Sequence, residues 1–203
     1  APESTLVGID AMKKHIGHSQ ESYPNINFRH EKFVDSFSFP DACFDIVVSV
    51  DTLECIPNKS ALIEEVARIL RPTGKALFAH WDWDTQVYNS EHKDTIRKFV
   101  AAFSDWKQDW MDACDGQMGR RLWGLFEGSG LFKGSIDTFT LLETRYEPSQ
   151  YGHDRLHDLI GLVKTGTVDG TEYDLVCNEM KALTVSKKYF YSVNSYIYLG
   201  KKA

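Results

Sequence analysis

The first eighty residues alternate short apolar runs with stretches of polar or helical character. Apolar residues dominate positions 6–10 and 44–50, and Ile26 and Phe28 are two positions apart, as in a strand. Residues 11–21 are mostly polar and predict a helix between the first two strands. The almost continuous β-branched run "FDIVVSV" at 44–50 is typical of a parallel strand that is covered on both faces.

A second helix is predicted after Asn58, whose side chain suits a helix N-cap. Apolar residues then recur at helical spacing: Leu62, Val66, Ile69 and Leu70. The sequence "RPTG" at 71–74 ends this helix, and "KALFAH" at 75–80 predicts the next strand. A strand, a helix and a strand in such short order require a right-handed parallel crossover. The repeat predicts an α/β fold with a Rossmann-like, doubly wound and mostly parallel sheet.

The second half of the chain predicts several helices and two strands. Helical patterns occupy "SEHKDTIRKFVAAFSDW", "GRRLWGLFEGSG", "YGHDRLHDLIGLV" and "EYDLVCNEMKALTV". A strand is predicted near residues 135–143, and the aromatic and β-branched "YFYSVNSYIYLGKK" predicts the last one. We find no repeat and no Pro/Gly/Ser-rich linker, so residues 1–203 are treated as one domain.

Composition narrows the classes of partner. The chain has 203 residues, of which 42% are hydrophobic, and a net charge of −6. This charge argues against nucleic acid and anionic membrane surfaces and favours a small-molecule partner. No run reaches the length of a membrane span and no secretory signal is visible, which predicts a cytoplasmic protein of unspecified oligomeric state. Four cysteines without CxxC spacing predict neither a metal site nor a disulfide framework.

Three stretches together resemble a known family. They are "VGIDAM" at 7–12, "FSFPDACFDIVVSVDTLECIP" at 37–57 and "LIEEVARILRPTGKALF" at 62–78. They are similar to consecutive motifs of the class I S-adenosylmethionine-dependent methyltransferases, in a branch that acts on small molecules. The resemblance covers about residues 5–80. It implies a sheet whose last strand is antiparallel, S-adenosyl-L-methionine as cofactor, and methyl transfer to a small-molecule acceptor.

The resemblance also implies a glycine-rich loop after a first strand, and no such loop precedes "VGID". The glycines of "DGQMGRRLWG" at 115–124 follow no predicted strand. A sheet without its first strand would expose apolar edges on both neighbouring strands. We therefore expect the sequence to be an N-terminally incomplete part of a longer chain, with a domain that functions without the loop as the alternative.

Asp10 is the first candidate for cofactor binding. It ends a predicted strand, where a carboxylate can accept both ribose hydroxyl groups. The alternative is that Asp10 caps the following helix. By resemblance, Ala11 and Met12 lie beside the adenine, although Met12 can also be a packing residue.

Four further positions are cofactor candidates by resemblance. Lys32 and Phe33 stand where the family commonly carries an aspartate for the adenine amino group, so they depart from the pattern. Val50 and Asp51 follow the strand at 44–50 and are placed near the methionine part of the cofactor. Cys55 stands where the family often has histidine, and we expect it to be a buried, inert thiol.

The sequence "HWDWD" at 80–84 is the candidate acceptor site. It is predicted to begin where a parallel strand ends, the edge at which open α/β sheets bind ligands. His80 and Asp82 are the predicted catalytic residues, with His80 accepting a proton and Asp82 orienting it. Trp81 and Trp83 can form an apolar or cation–π wall, and Asp84 can pair with a cation. The alternative is a loop anchored by tryptophan with an aspartate cap.

Arg120 and Arg121 are adjacent and can clamp an anionic substrate. On a helix, such a pair is more often one packed side-chain stem and one solvated charge. Two other functions remain open at this point. They are a methyltransferase-like module that only binds a partner, and an NAD(P)-dependent Rossmann oxidoreductase, since Asp10 suits any adenosine ribose.

Overall fold

The computed structural model describes residues 4–203, which form six strands, seven α-helices and one 3-10 turn. None of the helices in this range has both the length and the apolar character needed to cross a bilayer. The elements in chain order are β1 (Val7–Asp10), α1 (Lys13–Ser22), β2 (Asn27–His30), β3 (Phe44–Val50), the 3-10 turn (Leu53–Cys55), α2 (Lys59–Ile69), β4 (Leu70–Tyr88), α3 (Lys93–Ser104), α4 (Met118–Gly128), β5 (Phe132–Glu143), α5 (Tyr151–Asp158), α6 (Ile160–Lys164), α7 (Gly170–Val185) and β6 (Tyr191–Lys202).

The strands form two sheets. β1 and β2 are a parallel pair, and the second sheet has the order β3–β4–β6–β5. β3 is parallel to β4, whereas β6 is antiparallel to both β4 and β5. The mixed α/β sheet with an antiparallel last strand is therefore confirmed. Within residues 4–203, no strand is hydrogen-bonded between β1 and β3.

Strand β4 is much longer than the sequence predicted. It spans Leu70–Tyr88 rather than residues 75–80, so "HWDWD" lies within a strand and not in a loop after it. The reason is the partner strand, since β6 continues the antiparallel ladder through Trp81↔Ser195 and Asp82↔Asn194. The register shifts only after Asp82. The loop prediction was therefore wrong at this point.

Two cores cover the larger sheet. One packs α2 and α4 against the face that carries Phe78 and Tyr198. The second includes Trp83, Leu156 and Tyr191, from β4, α5 and β6. On β3, the alternate side chains Ile46, Val48 and Val50 are exposed. This alternation follows from the period of two along a strand.

A partly buried ion pair fixes the connection between β2 and β3. Glu65 of α2 is buried and accepts a hydrogen bond from the backbone N–H of Phe37 at 2.7 Å. Arg68 donates to the same Glu65 carboxylate at 2.6 Å and to the carbonyl oxygen of Phe39 at 2.8 Å. The network therefore holds the incoming segment against α2, directly before β3 begins.

We expect Glu65→Gln to lower the free energy of unfolding by about 1–3 kcal/mol near neutral pH, because Arg68 loses its charged partner. Hydrogen bonding from Arg68 lowers the pKa of Glu65. A carboxyl group with a lowered folded pKa stabilises the fold above its unfolded pKa, and this contribution disappears as pH falls through the folded pKa. The difference between variant and wild type should therefore shrink in acid. Urea denaturation at neutral and acidic pH measures it.

The matched control is Glu64→Gln, which changes the exposed neighbouring residue of the same helix. This control should change stability little at either pH. An equal loss of stability in the two variants would show that the Glu65–Arg68 pair does not anchor this segment.

Candidate active site

Asp51 occupies the end of β3 in a conformation that is uncommon for residues other than glycine. Its φ angle is 52°, in the left-handed region where aspartate is tolerated better than most residues. Its backbone N–H donates to the carbonyl oxygen of Ala79 at 3.0 Å, and its Oδ1 accepts the N–H of Trp81 at 3.1 Å. Such strained positions cluster at functional sites. The carboxylate is thus fixed over the neighbouring strand β4.

His80 lies fully buried between Asp51 and Glu54. Its Nδ1 is 3.8 Å from Oδ1 of Asp51 and donates to the carbonyl oxygen of Trp81 at 2.9 Å. Its Nε2 is 4.0 Å from Oε2 of Glu54 and accepts the backbone N–H of Glu54 at 3.4 Å. These partners assign the ring hydrogen to Nδ1. The predicted base is thus enclosed, with both nitrogens already engaged.

Asp51 and Glu54, hereafter the acid pair, lie in an environment that disfavours their charge. Burial is the main cause that raises the pKa of both carboxyl groups. Glu54 lies in the 3-10 turn after β3, and its Oε2 accepts the indole N–H of Trp83 at 2.9 Å. Among residues 4–203, neither acid forms a salt bridge with lysine or arginine. Among the described residues, His80 is therefore the basic side chain that the two carboxyl groups share.

Trp81, Trp83 and Tyr151, hereafter the aromatic wall, stand beside the acid pair. The Trp81 ring lies 5.1 Å from that of Tyr151 and 6.1 Å from that of Trp83, measured between centroids. Helix α5 contributes Tyr151 and also Arg155, whose guanidinium lies 5.1 Å from the centre of the Tyr151 ring. The sequence analysis missed Glu54, Tyr151 and Arg155. Glu54 lay within a quoted motif, but the α5 residues had no local feature that linked them to β4.

The predicted catalytic residue Asp82 makes a structural ion pair. It is fully buried, and its Oδ1 accepts a hydrogen bond from Nη2 of Arg120 at 2.6 Å. Asp84 accepts from the side chain of Gln117 at 2.6 Å, and Arg121 lies 3.2 Å from Asp115. These contacts join α4 to β4 and to the segment before α4. The structure does not bring Asp82, Asp84, Arg120 or Arg121 into the aromatic wall, and their roles toward a substrate stay predictions.

The predicted ribose ligand Asp10 lies at the end of β1, with its side chain 39% exposed. Its Oδ1 accepts the backbone N–H of Met12 at 2.6 Å, and its Oδ2 is 3.3 Å from Nδ1 of His15. Asp10 therefore stabilises the turn into α1 while its carboxylate still faces solvent. Met12 is itself the N-cap residue of α1, and Ala11 accepts a hydrogen bond at its carbonyl oxygen. Ribose and adenine binding remain predictions.

The other cofactor candidates lie in different surroundings. Lys32 pairs with Asp112 at 2.6 Å, and Phe33 is buried in the core beside α2. An adenine contact by Phe33 would therefore have to use its backbone. Val50 is exposed at the end of β3. Cys55 is half-buried rather than buried, and burial raises the pKa of its thiol to about 12, which favours the unreactive thiol form.

Comparison with known proteins finds a family match for the first part of the chain. Residues 2–78 match the methyltransferase domain family. A probable S-adenosylmethionine-dependent methyltransferase of Mycolicibacterium smegmatis is 29% identical over 69 residues, covering 34% of this chain and 26% of the relative. The 2-methyl-6-phytyl-1,4-hydroquinone methyltransferase of Synechocystis is 28% identical over 106 residues, covering 51% of this chain and 31% of the relative. The matched segments thus cover less than one third of each curated relative.

A solved structure extends the likeness over the whole chain. A putative methyltransferase from Bacillus halodurans has a TM-score of 0.59 at 14% identity, covering 98% of this chain and 83% of the other. At this identity the likeness concerns the fold. Residues 2–78 thus resemble the methyltransferase domain family, and the chain shares the fold of a solved putative methyltransferase. In this chain, the acid pair and the aromatic wall meet at the end of β3.

Removal of a charge from the acid pair should stabilise the fold. We expect Glu54→Gln to raise the free energy of unfolding by about 1 kcal/mol near neutral pH, because it removes a charge that burial disfavours. The amide oxygen of glutamine can still accept the Trp83 indole N–H. Since the folded pKa of Glu54 is raised, the wild-type fold becomes relatively more stable as pH falls through that pKa. The advantage of the variant should therefore shrink in mild acid.

Chemical denaturation of Glu54→Gln and wild type across this pH range measures the effect, with the exposed Glu64→Gln as control. A glutamine variant that is clearly less stable than wild type at neutral pH would contradict a charge cost at Glu54.

Proposed function

We propose that this domain takes part in the transfer of a methyl group from S-adenosyl-L-methionine to a small-molecule acceptor. The family match of residues 2–78 supports the reaction and the cofactor. We place the acceptor at the carboxyl end of β3, because the acid pair and the aromatic wall meet there. Open α/β sheets bind their ligands at this end of their strands.

The residues at the strand ends fit part of the cofactor. Asp10 offers a solvent-facing carboxylate after β1, suited to the ribose hydroxyl groups, with Ala11 and Met12 next to it. Val50 and Asp51 end β3 and would face the methionine part. Within residues 4–203 no glycine-rich turn follows β1, β2 or β3. The described residues therefore account for the nucleoside side of the cofactor better than for its amino-acid side.

The protein has a limited chemical task in this reaction. When bound, the cofactor supplies an activated methyl group on a sulfonium sulfur, so little covalent chemistry falls to the side chains. The aromatic wall would hold the acceptor and exclude water from it. Asp51 is the carboxylate with the more exposed side chain of the acid pair, 34% against 11% for Glu54. It would take up any proton that the acceptor loses.

His80 and Asp82 fit this proposal as positioning residues. His80 separates the two acids and donates to the carbonyl oxygen of Trp81. Asp82 fixes Arg120 and thereby α4 against β4. Each would act through the residues that it holds, because both side chains are fully buried.

A methyltransferase-like binding module is the second candidate. It is favoured by one observation, since the acid pair and the aromatic wall are held together by the described residues alone and could bind a ligand without methyl transfer. Such a module would keep the aromatic wall for a ligand and would not bind the cofactor. The family match gives no support to the oxidoreductase alternative.

The test is calorimetric titration of the protein with S-adenosylhomocysteine. We expect Asp10→Ala to weaken binding roughly tenfold to a hundredfold, because a charge-assisted pair of hydrogen bonds is lost. Glu21→Ala, an exposed acid on the adjacent α1, should leave the affinity unchanged. A folded Asp10→Ala variant with wild-type affinity would show that the ribose binds elsewhere.

Incubation with labelled cofactor and a pool of metabolites, followed by mass detection, tests methyl transfer itself. Methylated products that require active protein support the enzyme. Failure of the wild-type protein to bind S-adenosylhomocysteine would favour the binding module.

A further inference from the structure

Resting on the proposed function, we propose that the acceptor bound at this site is an amine that is recognised as a cation. The proposal rests on two carboxylates and an aromatic surface that lie next to one another around His80. Each of these features favours a positively charged ligand for a different physical reason.

The first reason is the charge of the acid pair. Asp51 and Glu54 lie on opposite sides of the fully buried His80, within 3.8 Å and 4.0 Å of its nitrogens. The hydrogen bonds of His80 go to the backbone of Glu54 and of Trp81, so neither ring nitrogen is hydrogen-bonded to a carboxylate of the acid pair. Two carboxylates that are largely buried and share a single imidazole are costly, and a bound cation reduces that cost.

The second reason is the aromatic surface beside Asp51. The backbone N–H of Trp81 donates to Asp51, so the wall and the carboxylate are joined directly. Phe139 of β5 extends this surface, with its ring centre 6.4 Å from that of Trp81 and its side chain exposed. The faces of tryptophan, tyrosine and phenylalanine attract cations, and alkylammonium groups above all.

In the described part of the chain, Arg155 is the cation beside the wall whose charge favours an anionic ligand. Its guanidinium lies against the rings of Tyr151, Trp83 and Phe103 at 5.1–5.7 Å. Its Nη2 is 3.0 Å from Oδ2 of Asp158, so its charge already has a partner. The acids around the wall therefore outnumber the cations. Preference for an anion, held by Arg155, is the outcome that opposes the proposal.

The test compares three ligands of nearly the same shape. Choline is the cation, 3,3-dimethyl-1-butanol is its neutral isostere and 3,3-dimethylbutyrate is the anion. Titrations at neutral pH are followed by the fluorescence of the tryptophans. We expect choline to bind at least about tenfold more tightly than the alcohol, and the anion to bind more weakly than both. Equal affinities, tighter binding of the anion, or no choline binding by folded protein at millimolar concentration would overturn the proposal.

The variant Asp51→Asn keeps the shape of the side chain and tolerates the left-handed backbone. We expect it to weaken choline binding about fivefold or more and to leave the neutral alcohol unaffected. Asp45→Asn is the matched control, since Asp45 is an exposed acid on the same strand, paired with Arg71. The control variant should prefer choline over the neutral alcohol as strongly as the wild type does. An unchanged choline affinity in a folded Asp51→Asn variant would also overturn the proposal.

Titration with S-adenosylhomocysteine separates this inference from the proposed function. Binding of choline with the expected selectivity, together with no cofactor binding, would refute methyl transfer and keep the cation site. Binding of S-adenosylhomocysteine without selectivity for choline would keep the proposed function and refute the amine.

Discussion

The hydrogen bond from the Trp81 backbone to the Asp51 carboxylate is the contact on which the candidate site depends. It exists because β3 and β4 are parallel neighbours and because Asp51 adopts a positive φ directly after β3. The turn directs the carboxylate over β4 instead of into solvent. Without it, Asp51 would lie apart from the aromatic wall and His80 would face a single acid.

Several residues of the candidate site lower the stability of the fold. Burial disfavours the charged forms of Asp51 and Glu54, and the backbone of Asp51 is strained by roughly 1 kcal/mol or more. The surrounding structure offsets this cost through the core of Trp83, Leu156 and Tyr191. Residues that destabilise a fold without an evident structural gain are typical of sites selected for binding or chemistry.

Much of the framework could be predicted from local patterns. The apolar run at 44–50 is β3, and the predicted cap Asn58 accepts the backbone N–H of Ala61 at 3.1 Å. Periodicity predicted α2, and the crossover rule predicted the parallel pairing of β3 with β4. These features depend on residues close in sequence, which is why a single sequence carries them.

The parts that could not be predicted depend on distant partners. Residues 80–82 are strand because β6, more than a hundred residues later, continues the ladder. Tyr151 reaches the site because α5 packs over β4, which no local pattern in residues 151–158 indicates. The enclosed state of His80 likewise follows from the 3-10 turn at Leu53–Cys55. Residue type suggested chemistry at "HWDWD", but only tertiary packing determines which side chains face outward.

The most direct test of the account is a crystal structure of the protein with S-adenosylhomocysteine. The account predicts that the ribose contacts Asp10 and that the sulfur lies at the end of β3, beside Asp51 and facing the aromatic wall. Asp51 and Trp81 would then be the residues beside the methyl group that S-adenosyl-L-methionine carries and S-adenosylhomocysteine lacks. A cofactor bound away from β3, or one whose sulfur faces Arg120 and Arg121 on α4 instead, would contradict it.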